Sequence, residues 1–517
     1  MKKDLILSVI TGISFALAMP PFKTGFLAYG TLIPFFILLR NKSIFNAILW
    51  GYVTGFFIYL FCLFWIGFVT VPGVIGALIV LPLFIAAFAL LQSLLLKTWG
   101  DLAIFFAPFL WTGIEYLQSL GDTAFPWVYL GYTQTYYLPV IQVAEFTSVY
   151  GITFWIVTLN ALIYYCFIRE KSNAPALVLL FALFLLPFLY GFSVLQEPES
   201  KKTIRIGMVQ GNIDPFEKWS SGNDERFFAK YDSLSRLTLD SEPDLMIWPE
   251  TATPFYLRYE FQYLERIRSR VDSSSVPLLT GSIDYDYTEE GYQYYNSALL
   301  IRPGEVDISH YAKQKLVPFS EKVPYHKYFP FRYLKDMLYD MQLGIGDYAR
   351  GEAHTIFSVS PKSRRQVKDS PPVEFACAIC YESVFPDYIR RFVERGIDFL
   401  VIITNDAWFG KTTAPYQHAR IAVLRAVENR VPIARCANTG ITCFIDSYGR
   451  MYNNTDIFTT KTVVNQLPLT SSGTFYTRHG NWFAHLCILV MVLALVSLVP
   501  AVIYQFGKSF CKRNSKL

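Results

Sequence analysis

The chain has 517 residues, of which 53% are hydrophobic, 17% aromatic and 17% charged, and its mean hydropathy is +0.30. This composition excludes an ordinary soluble globular protein, in which about 25% of residues are charged, and indicates a membrane protein. The net charge of +5 lies mostly in short loops between apolar segments, so we expect no nucleic-acid partner.

Eight apolar runs have about the length of a membrane span. A helix needs roughly 20 apolar residues to cross a hydrocarbon core about 30 Å thick. The runs cover residues 4–21, 25–40, 44–68, 74–96, 102–118, 149–168, 175–195 and 483–505. The sequence therefore predicts an eight-helix transmembrane bundle, formed by residues 1–195 with seven helices and by residues 483–517, a last helix with a basic cytoplasmic tail.

Basic residues in the short loops predict the orientation of this bundle. Lysine and arginine collect on the cytoplasmic side of membrane proteins. One set of chain ends and loops carries eleven of them, whereas the opposite set carries only Lys23. We therefore expect both termini in the cytoplasm and residues 196–482 on the extracytoplasmic side.

Residues 196–482 have ordinary polarity and are expected to form a separate domain with its own core. Apolar β-rich runs alternate there with amphipathic helical patterns, which predicts an α/β layer architecture. The predicted strands cover residues 203–210, 244–248, 277–283, 296–301, 373–379, 398–404, 432–437 and 442–446. The clearest helical patterns cover residues 222–240, 259–272, 384–395 and 416–430.

Polar motifs follow three of the predicted strands: WPET (248–251), CYES (380–383) and TNDAWFG (404–410). Open α/β sheets place their ligands at the carboxyl ends of strands. We therefore expect a site at this edge, although each motif alone is also compatible with an ordinary turn.

The two cysteines of the segment CAIC (377–380) allow three interpretations. In an extended strand their Cα atoms lie about 10 Å apart, which is beyond the reach of a disulfide. A zinc site would need a second suitably spaced pair, which Cys436 and Cys443 do not form. The pattern favours Cys377 as a buried small side chain and Cys380 as a nucleophile at the strand end.

A cysteine nucleophile needs a base and a group that stabilises the developing oxyanion. Glu250, at another strand end, and Lys313, in a loop with apolar neighbours, are the candidates. The six histidines are scattered and form no recognisable Cys-His-Asn pattern. This favours a carboxylate as the base.

Glu250, Lys313 and Cys380 resemble the Glu-Lys-Cys triad of the carbon–nitrogen hydrolase (nitrilase) superfamily. With seven predicted spans before the domain and one after it, the chain resembles the bacterial apolipoprotein N-acyltransferase family. The segments that carry this resemblance extend over nearly the whole chain: MPPF (19–22), WGYVTGFFIYLFCLFWIG (50–67), FPWVYLGYTQ (125–134), VQGN (209–212), WPETATP (248–254), TNDAWFG (404–410) and ANTG (437–440).

The resemblance implies transfer of an acyl chain from a phospholipid to the N-terminal amine of diacylglyceryl-cysteine in an apolipoprotein. The family's reaction proceeds through a thioester, here on Cys380, with Glu250 as general base and Lys313 as stabiliser of the tetrahedral intermediate. Further site residues implied by the resemblance are Glu321, Tyr381, Glu382 and Trp219.

The resemblance also implies an α-β-β-α sandwich for residues 196–482, on the periplasmic side of a bacterial inner membrane. No cofactor or metal is expected, and we expect a monomer. The amphipathic segment 328–344 is interpreted either as a lid that lies in the lipid leaflet or as an ordinary packed helix. The aromatic loop 119–148 is interpreted as the floor of the cleft or as an interfacial belt.

Two other functions compete with acyl transfer. A membrane-tethered amidase of the nitrilase type would hydrolyse a small substrate, but one anchoring helix would suffice for it. A transporter or receptor would place polar groups in the middle of the bundle, whereas the apolar runs here are nearly free of charge apart from Glu115.

Overall fold

The computed structural model describes residues 1–169, 174–196, 200, 202–218, 222–289, 291–340, 346–361, 371–469 and 473–498. The chain separates into two compact units. The first contains Met1–Phe64, Val74–Val194 and the described residues from Asn481 onwards. The second contains Trp65–Gly73 and Leu195–Gly480. We refer to these as the helical unit and the α/β unit.

The helical unit follows from the apolar runs, because a helix satisfies its own backbone hydrogen bonds where no water is present. Each predicted run contains a helix. The main helices are Lys2–Ala18, Ile33–Leu39, Ile44–Leu63, Val71–Val80, Pro82–Trp99, Ala107–Gln118, Ala144–Ile163, Ala174–Val194 and Trp482–Val496.

Four helical segments of the described chain are long and apolar enough to cross a membrane: Ile44–Leu63, Val71–Gln118, Ala144–Ile168 and Ala174–Val194. The second of these has 48 residues and contains several consecutive helices. The length and composition of these segments agree with the prediction of a membrane protein. The count of eight crossings stays a prediction.

Glu115 lies inside the helical unit, and its carboxyl group accepts hydrogen bonds from three donors. Its carboxylate accepts from Trp111 Nε1 at 3.0 Å, from the Leu130 backbone N–H at 2.8 Å and from Thr153 Oγ1 at 2.7 Å. Three donors satisfy a carboxylate that would otherwise be costly to bury. The contact with Leu130 draws the aromatic loop inward, and its side chains Trp127, Tyr129 and Tyr132 are at most 1% exposed.

The α/β unit contains two six-stranded sheets. The first has the order β12-β1-β2-β3-β4-β5 and the second the order β11-β10-β9-β8-β7-β6. The strands are β1 Thr203–Gln210, β2 Leu245–Ile247, β3 Leu278–Thr288, β4 Gly291–Ile301, β5 Ser309–Ala312, β6 Phe357–Val359, β7 Val373–Ile379, β8 Phe399–Thr404, β9 Ile433–Ala437, β10 Cys443–Ile445, β11 Met451–Tyr452 and β12 Lys461–Pro468.

Each sheet has three parallel strands at its centre and antiparallel strands at its edges. β1, β2 and β3 are parallel in the first sheet, and β7, β8 and β9 in the second. The central strands read as nearly continuous apolar runs because both of their faces are covered. β8, for example, is buried along its whole length.

Helices connect the parallel strands and cover the outer faces of the sheets. Asp224–Leu239 and Phe261–Ser274 link β1 to β2 and β2 to β3, and their apolar faces form one core with the first sheet. Pro386–Val393 and Ala414–Asn429 link β7 to β8 and β8 to β9. Crossovers between parallel strands are right-handed, so both helices of each pair lie on one face of their sheet.

The inner faces of the two sheets pack against each other. Cys436 of β9 places its Sγ 3.5 Å from the backbone oxygens of Val209 and Ile247, which belong to β1 and β2. The layer order is therefore α-β-β-α, as the resemblance implied. Two further helices of this unit are Pro215–Lys218 and Phe331–Asp340, and a short one, Phe475–His479, ends it.

Candidate active site

Cys380 lies immediately after β7, as the first residue of the tight turn Cys380–Val384. Its φ of +52° is in the left-handed region, which a residue with a side chain rarely adopts. Backbone strain of this kind is concentrated at functional sites, where the surrounding structure has to maintain it. Cys377, three residues earlier in β7, is fully buried, as the sequence predicted.

Glu250 follows β2 and is 6% exposed. Its Oε1 accepts from Asn296 Nδ2 at 2.8 Å and lies 3.4 Å from Lys313 Nζ. Its Oε2 accepts from the backbone N–H of Asn405 at 2.8 Å, just after β8. Strand ends of both sheets therefore meet at this carboxylate.

Lys313 follows β5 and is only 1% exposed. Its Nζ donates to Glu321 Oε1 at 2.8 Å and is paired with Glu250 on its other side. Burial by itself would lower the pKa of Lys313, but the charges of Glu321 and Glu250 outweigh it and raise the pKa above its ordinary value. The lysine is therefore held as a cation inside the site.

Asn296 of β4 links the two carboxylates that flank this lysine. Its Nδ2 donates to Glu250 Oε1 at 2.8 Å and to Glu321 Oε1 at 3.2 Å. Glu321 is fixed in turn by the backbone N–H of Val317, which donates to its Oε2 at 2.8 Å. Asn296 and Lys313 thus both stabilise the close approach of the Glu250 and Glu321 carboxylates.

Glu382 lies in the same turn as Cys380 and is fully buried. Its Oε1 accepts from Tyr311 Oη at 2.7 Å and from the backbone N–H groups of Gln314 at 2.6 Å and Lys315 at 3.2 Å. Its Oε2 accepts from the backbone N–H of Ile379 at 2.8 Å. The carboxylate therefore ties the end of β7 to the loop that carries Lys313.

The surroundings of the Cys380 thiol favour its protonated form. Burial raises the pKa of this thiol and the charge of Glu250 raises it further, whereas Lys313 and a hydrogen bond with Thr404 act in the opposite direction. The net pKa is above the ordinary value of a cysteine. Since the thiolate is the reactive form, a base has to remove the proton.

Tyr381 and Trp219 were the remaining predicted site residues. Tyr381 is 3% exposed, and its ring packs edge-on against Phe385 with the ring centres 5.2 Å apart. Trp219 lies outside the described residues. Its neighbour Lys218 is buried and donates from Nζ to Thr251 Oγ1 at 2.9 Å and to the Thr251 carbonyl.

Lys218 was not recognised in the sequence. Burial lowers the pKa of its ammonium group to about 7, although the charge of Glu250 acts against this. Its contact with Thr251, the residue after Glu250, places a weakly basic amine beside the candidate base. The only sequence signal was its position next to Trp219.

A second buried group was also missed, because its members are far apart in the chain. Asp406 follows β8, His418 lies in the helix Ala414–Asn429 and Arg435 lies in β9, and all three are fully buried. His418 Nδ1 lies 2.9 Å from Asp406 Oδ1, and Arg435 donates to Asp406 Oδ2 at 2.8 Å. Asp406 belongs to the motif TNDAWFG, which was noticed only as a strand end.

The segment 328–344 contains the helix Phe331–Asp340. Tyr328, Phe329 and Tyr333 are 68%, 82% and 68% exposed, whereas Leu338 is buried. The side chain of Leu334 and the whole of Met341 lie outside the described part of the segment. Exposed aromatic rings are compatible with both interpretations of this segment, so the lid stays a prediction.

The arrangement brings together a cysteine at a strained turn, a buried carboxylate and a buried ammonium group. A carboxylate accepts and returns protons, a cation stabilises a developing oxyanion, and a thiolate attacks an acyl carbonyl. The site is therefore suited to acyl transfer through a covalent intermediate.

Comparisons with known proteins find family models that match both halves of the chain. Residues 11–162 match the family model of the apolipoprotein N-acyltransferase N-terminal domain, and residues 205–475 match that of carbon-nitrogen hydrolase. The apolipoprotein N-acyltransferase of Geobacter metallireducens is 34% identical and covers 94% of this chain and 94% of the relative. That of Chlorobaculum tepidum is 32% identical and covers 96% and 97%.

Solved structures show a more distant similarity to this chain. An amidase from Nesterenkonia sp. has 16% sequence identity and a TM-score of 0.37, and the match covers 56% of this chain and 97% of that chain.

Proposed function

This chain belongs to the apolipoprotein N-acyltransferase family, and we propose that it N-acylates apolipoproteins through a thioester on Cys380. The donor is a phospholipid and the acceptor is the N-terminal amine of diacylglyceryl-cysteine. The observation that carries the proposal is the cluster of the buried Glu250 and Lys313 with the partly buried Glu321 beside the strained Cys380 turn.

In the first half-reaction, Glu250 takes the proton of the Cys380 thiol, and the sulfur attacks the ester carbonyl of the phospholipid. The carbonyl oxygen becomes an oxyanion, which the Lys313 ammonium and the backbone N–H of Tyr381 stabilise; such a donor is worth roughly 3 kcal/mol. The intermediate expels the lysophospholipid alkoxide, which receives the proton from Glu250. The acyl chain stays on sulfur.

In the second half-reaction, the acceptor amine attacks the thioester carbonyl. Glu250, again ionised, takes a proton from the attacking nitrogen, and the same two donors stabilise the second oxyanion. The C–S bond breaks, and the thiolate recovers the proton from Glu250. One carboxylate therefore serves both half-reactions in turn.

The domains expected from the sequence have different tasks in this proposal. Residues 1–195 and 483–517 form the membrane bundle, and residues 196–482 form the catalytic domain on the periplasmic side of a bacterial inner membrane. A monomer contains the complete site. The segment 328–344 acts as a lid that excludes water, because a water-exposed thioester would hydrolyse.

The proposal is tested by isolating the acylated enzyme and adding a synthetic peptide with an N-terminal diacylglyceryl-cysteine. We expect amide formation on the peptide and the release of free enzyme, followed by mass spectrometry. Release of free fatty acid at the same rate with and without the peptide would indicate a hydrolase and contradict the proposal.

A further inference from the structure

A buried polar group lies behind Cys380 and has no role in the reaction steps described above. Ser383 Oγ donates to the carbonyl oxygen of Cys380 at 2.8 Å. His418 Nε2 lies 3.2 Å from the same carbonyl oxygen and 2.9 Å from Ser383 Oγ. Both side chains are fully buried. The carbonyl of the nucleophilic residue therefore accepts from Ser383 and lies within hydrogen-bond distance of His418 Nε2.

This pair is itself fixed by the buried charges of Asp406 and Arg435. His418 Nδ1 lies 2.9 Å from Asp406 Oδ1, and Arg435 donates to Asp406 Oδ2 at 2.8 Å. Burial by itself would raise the pKa of Asp406, but Arg435 and His418 hold it well below its ordinary value. The aspartate therefore remains ionised.

Asp406 is also connected to the side chain of Cys380. Thr404 Oγ1 donates to Asp406 Oδ1 at 2.9 Å, and the charge of Asp406 adds to burial and to the charge of Glu250 in raising the pKa of the Cys380 thiol. One buried carboxylate is thus linked to both the thiol and the carbonyl of the nucleophilic residue.

The geometry of the peptide bond gives these contacts a consequence for catalysis. The Cys380 carbonyl and the Tyr381 N–H belong to one rigid trans peptide plane, so fixing the oxygen fixes the direction of the N–H. Hydrogen bonds accepted by a carbonyl also polarise its amide and strengthen the N–H as a donor. The positive φ of Cys380 makes this support necessary, because an unsupported chain would relax away from it.

We infer that His418 and Ser383 are positioning residues that orient and polarise the Tyr381 N–H toward the oxyanion. The inference rests on the proposed function, in which this N–H is one of two oxyanion donors. Neither residue is assigned any contact with the substrate; each acts through the Cys380–Tyr381 peptide.

Two reactions of the same sulfur atom distinguish this role from a general structural one. Thioester formation with phosphatidylethanolamine in mixed micelles passes through an oxyanion, whereas alkylation by iodoacetamide displaces iodide and forms none. In the full-length protein, we expect His418→Leu and Ser383→Ala to slow thioester formation by about ten- to a hundredfold, part of the effect of removing an oxyanion donor. Alkylation should stay within about twofold of wild type.

His418→Gln provides a conservative variant, because its amide nitrogen takes the place of Nε2. We expect it to recover part of the thioester rate lost in His418→Leu. Ser235→Ala is the matched control: it also removes a buried hydroxyl, which accepts a hydrogen bond from Trp248 Nε1 at 2.9 Å, but this one lies away from Cys380. Both rates should be unchanged in this control.

Equal slowing of thioester formation and alkylation would overturn the inference, because it would place the effect on the thiol itself. Wild-type thioester formation in both His418→Leu and Ser383→Ala would also overturn it. If His418→Leu does not fold, the rates of thioester formation and alkylation in Ser383→Ala and His418→Gln test the inference instead. Absence of a thioester on the wild-type protein would instead contradict the proposed function.

Discussion

Replacing Glu382 by glutamine tests whether this carboxylate holds the loop that carries Lys313 against the Cys380 turn. The amide NH₂ would face one of the groups that now donate to the carboxylate, such as the Ile379 N–H at 2.8 Å. A buried N–H without an acceptor costs about 1–3 kcal/mol. The three bonds to Oε1 become neutral and are weakened by about 1 kcal/mol each. Because such terms are not fully additive, we expect a loss of about 3–5 kcal/mol.

Glu382→Gln should therefore lower the thermal midpoint of the α/β unit by roughly 10 °C and slow single-turnover thioester formation. Tyr311→Phe is the control, since it removes one hydrogen bond to this carboxylate and the contact between the Tyr311 and Tyr388 hydroxyls, and it should cost about 2 kcal/mol. Scanning calorimetry of the purified protein and mass-resolved acylation measure the two effects. A Glu382→Gln protein with wild-type stability and acylation would refute the reasoning.

Three further predictions concern neighbouring groups. The pKa of Lys218 is about 7 in the folded protein and has the ordinary lysine value of 10.5 in the unfolded chain. Between these two pH values the unfolded chain binds more protons at Lys218, so the contribution of this residue to the free energy of unfolding rises with pH. The thermal midpoint of wild type relative to Lys218→Met should increase from pH 7 to pH 10; a constant difference would contradict this. Asn296→Asp places a third carboxylate beside Glu250 and Glu321 and should slow thioester formation about a hundredfold, equivalent to about 2.7 kcal/mol; single-turnover rates near those of wild type would argue against the bridging role. Cys377→Ala removes a fully buried side chain and should cost about 1 kcal/mol of stability with little change in acylation; an inactive but folded variant would be the opposite result.

The eight strands predicted from apolar runs are all present, because local hydrophobicity is sufficient to identify strands buried on both faces. The strands β5, β6, β11 and β12 were missed, since they are short or partly exposed and carry no continuous apolar run. The β3–β4 hairpin extends beyond its apolar part to Thr288 and Gly291, where exposed tyrosines replace aliphatic residues.

The candidate site was predictable where its residues directly follow apolar strands, as Glu250 and Cys380 do. Asn296 was not, because its neighbours Glu250 and Glu321 come from other segments and only the fold brings them together. His418 was not singled out among the six scattered histidines, since its partners Asp406 and Arg435 lie 12 and 17 residues away and share no local pattern with it. The sequence was sufficient to predict the site residues at the strand ends, but not the side chains from other segments that form hydrogen bonds around them.

The most direct measurement of the central claim is the intact mass of the purified protein after incubation with phospholipid. The proposed reaction predicts one long-chain acyl adduct on wild type and on Cys377→Ala, none on Cys380→Ala, and loss of the adduct on treatment with hydroxylamine, as expected for a thioester. A stable adduct of the same mass on Cys380→Ala would contradict the assignment of Cys380 as the nucleophile.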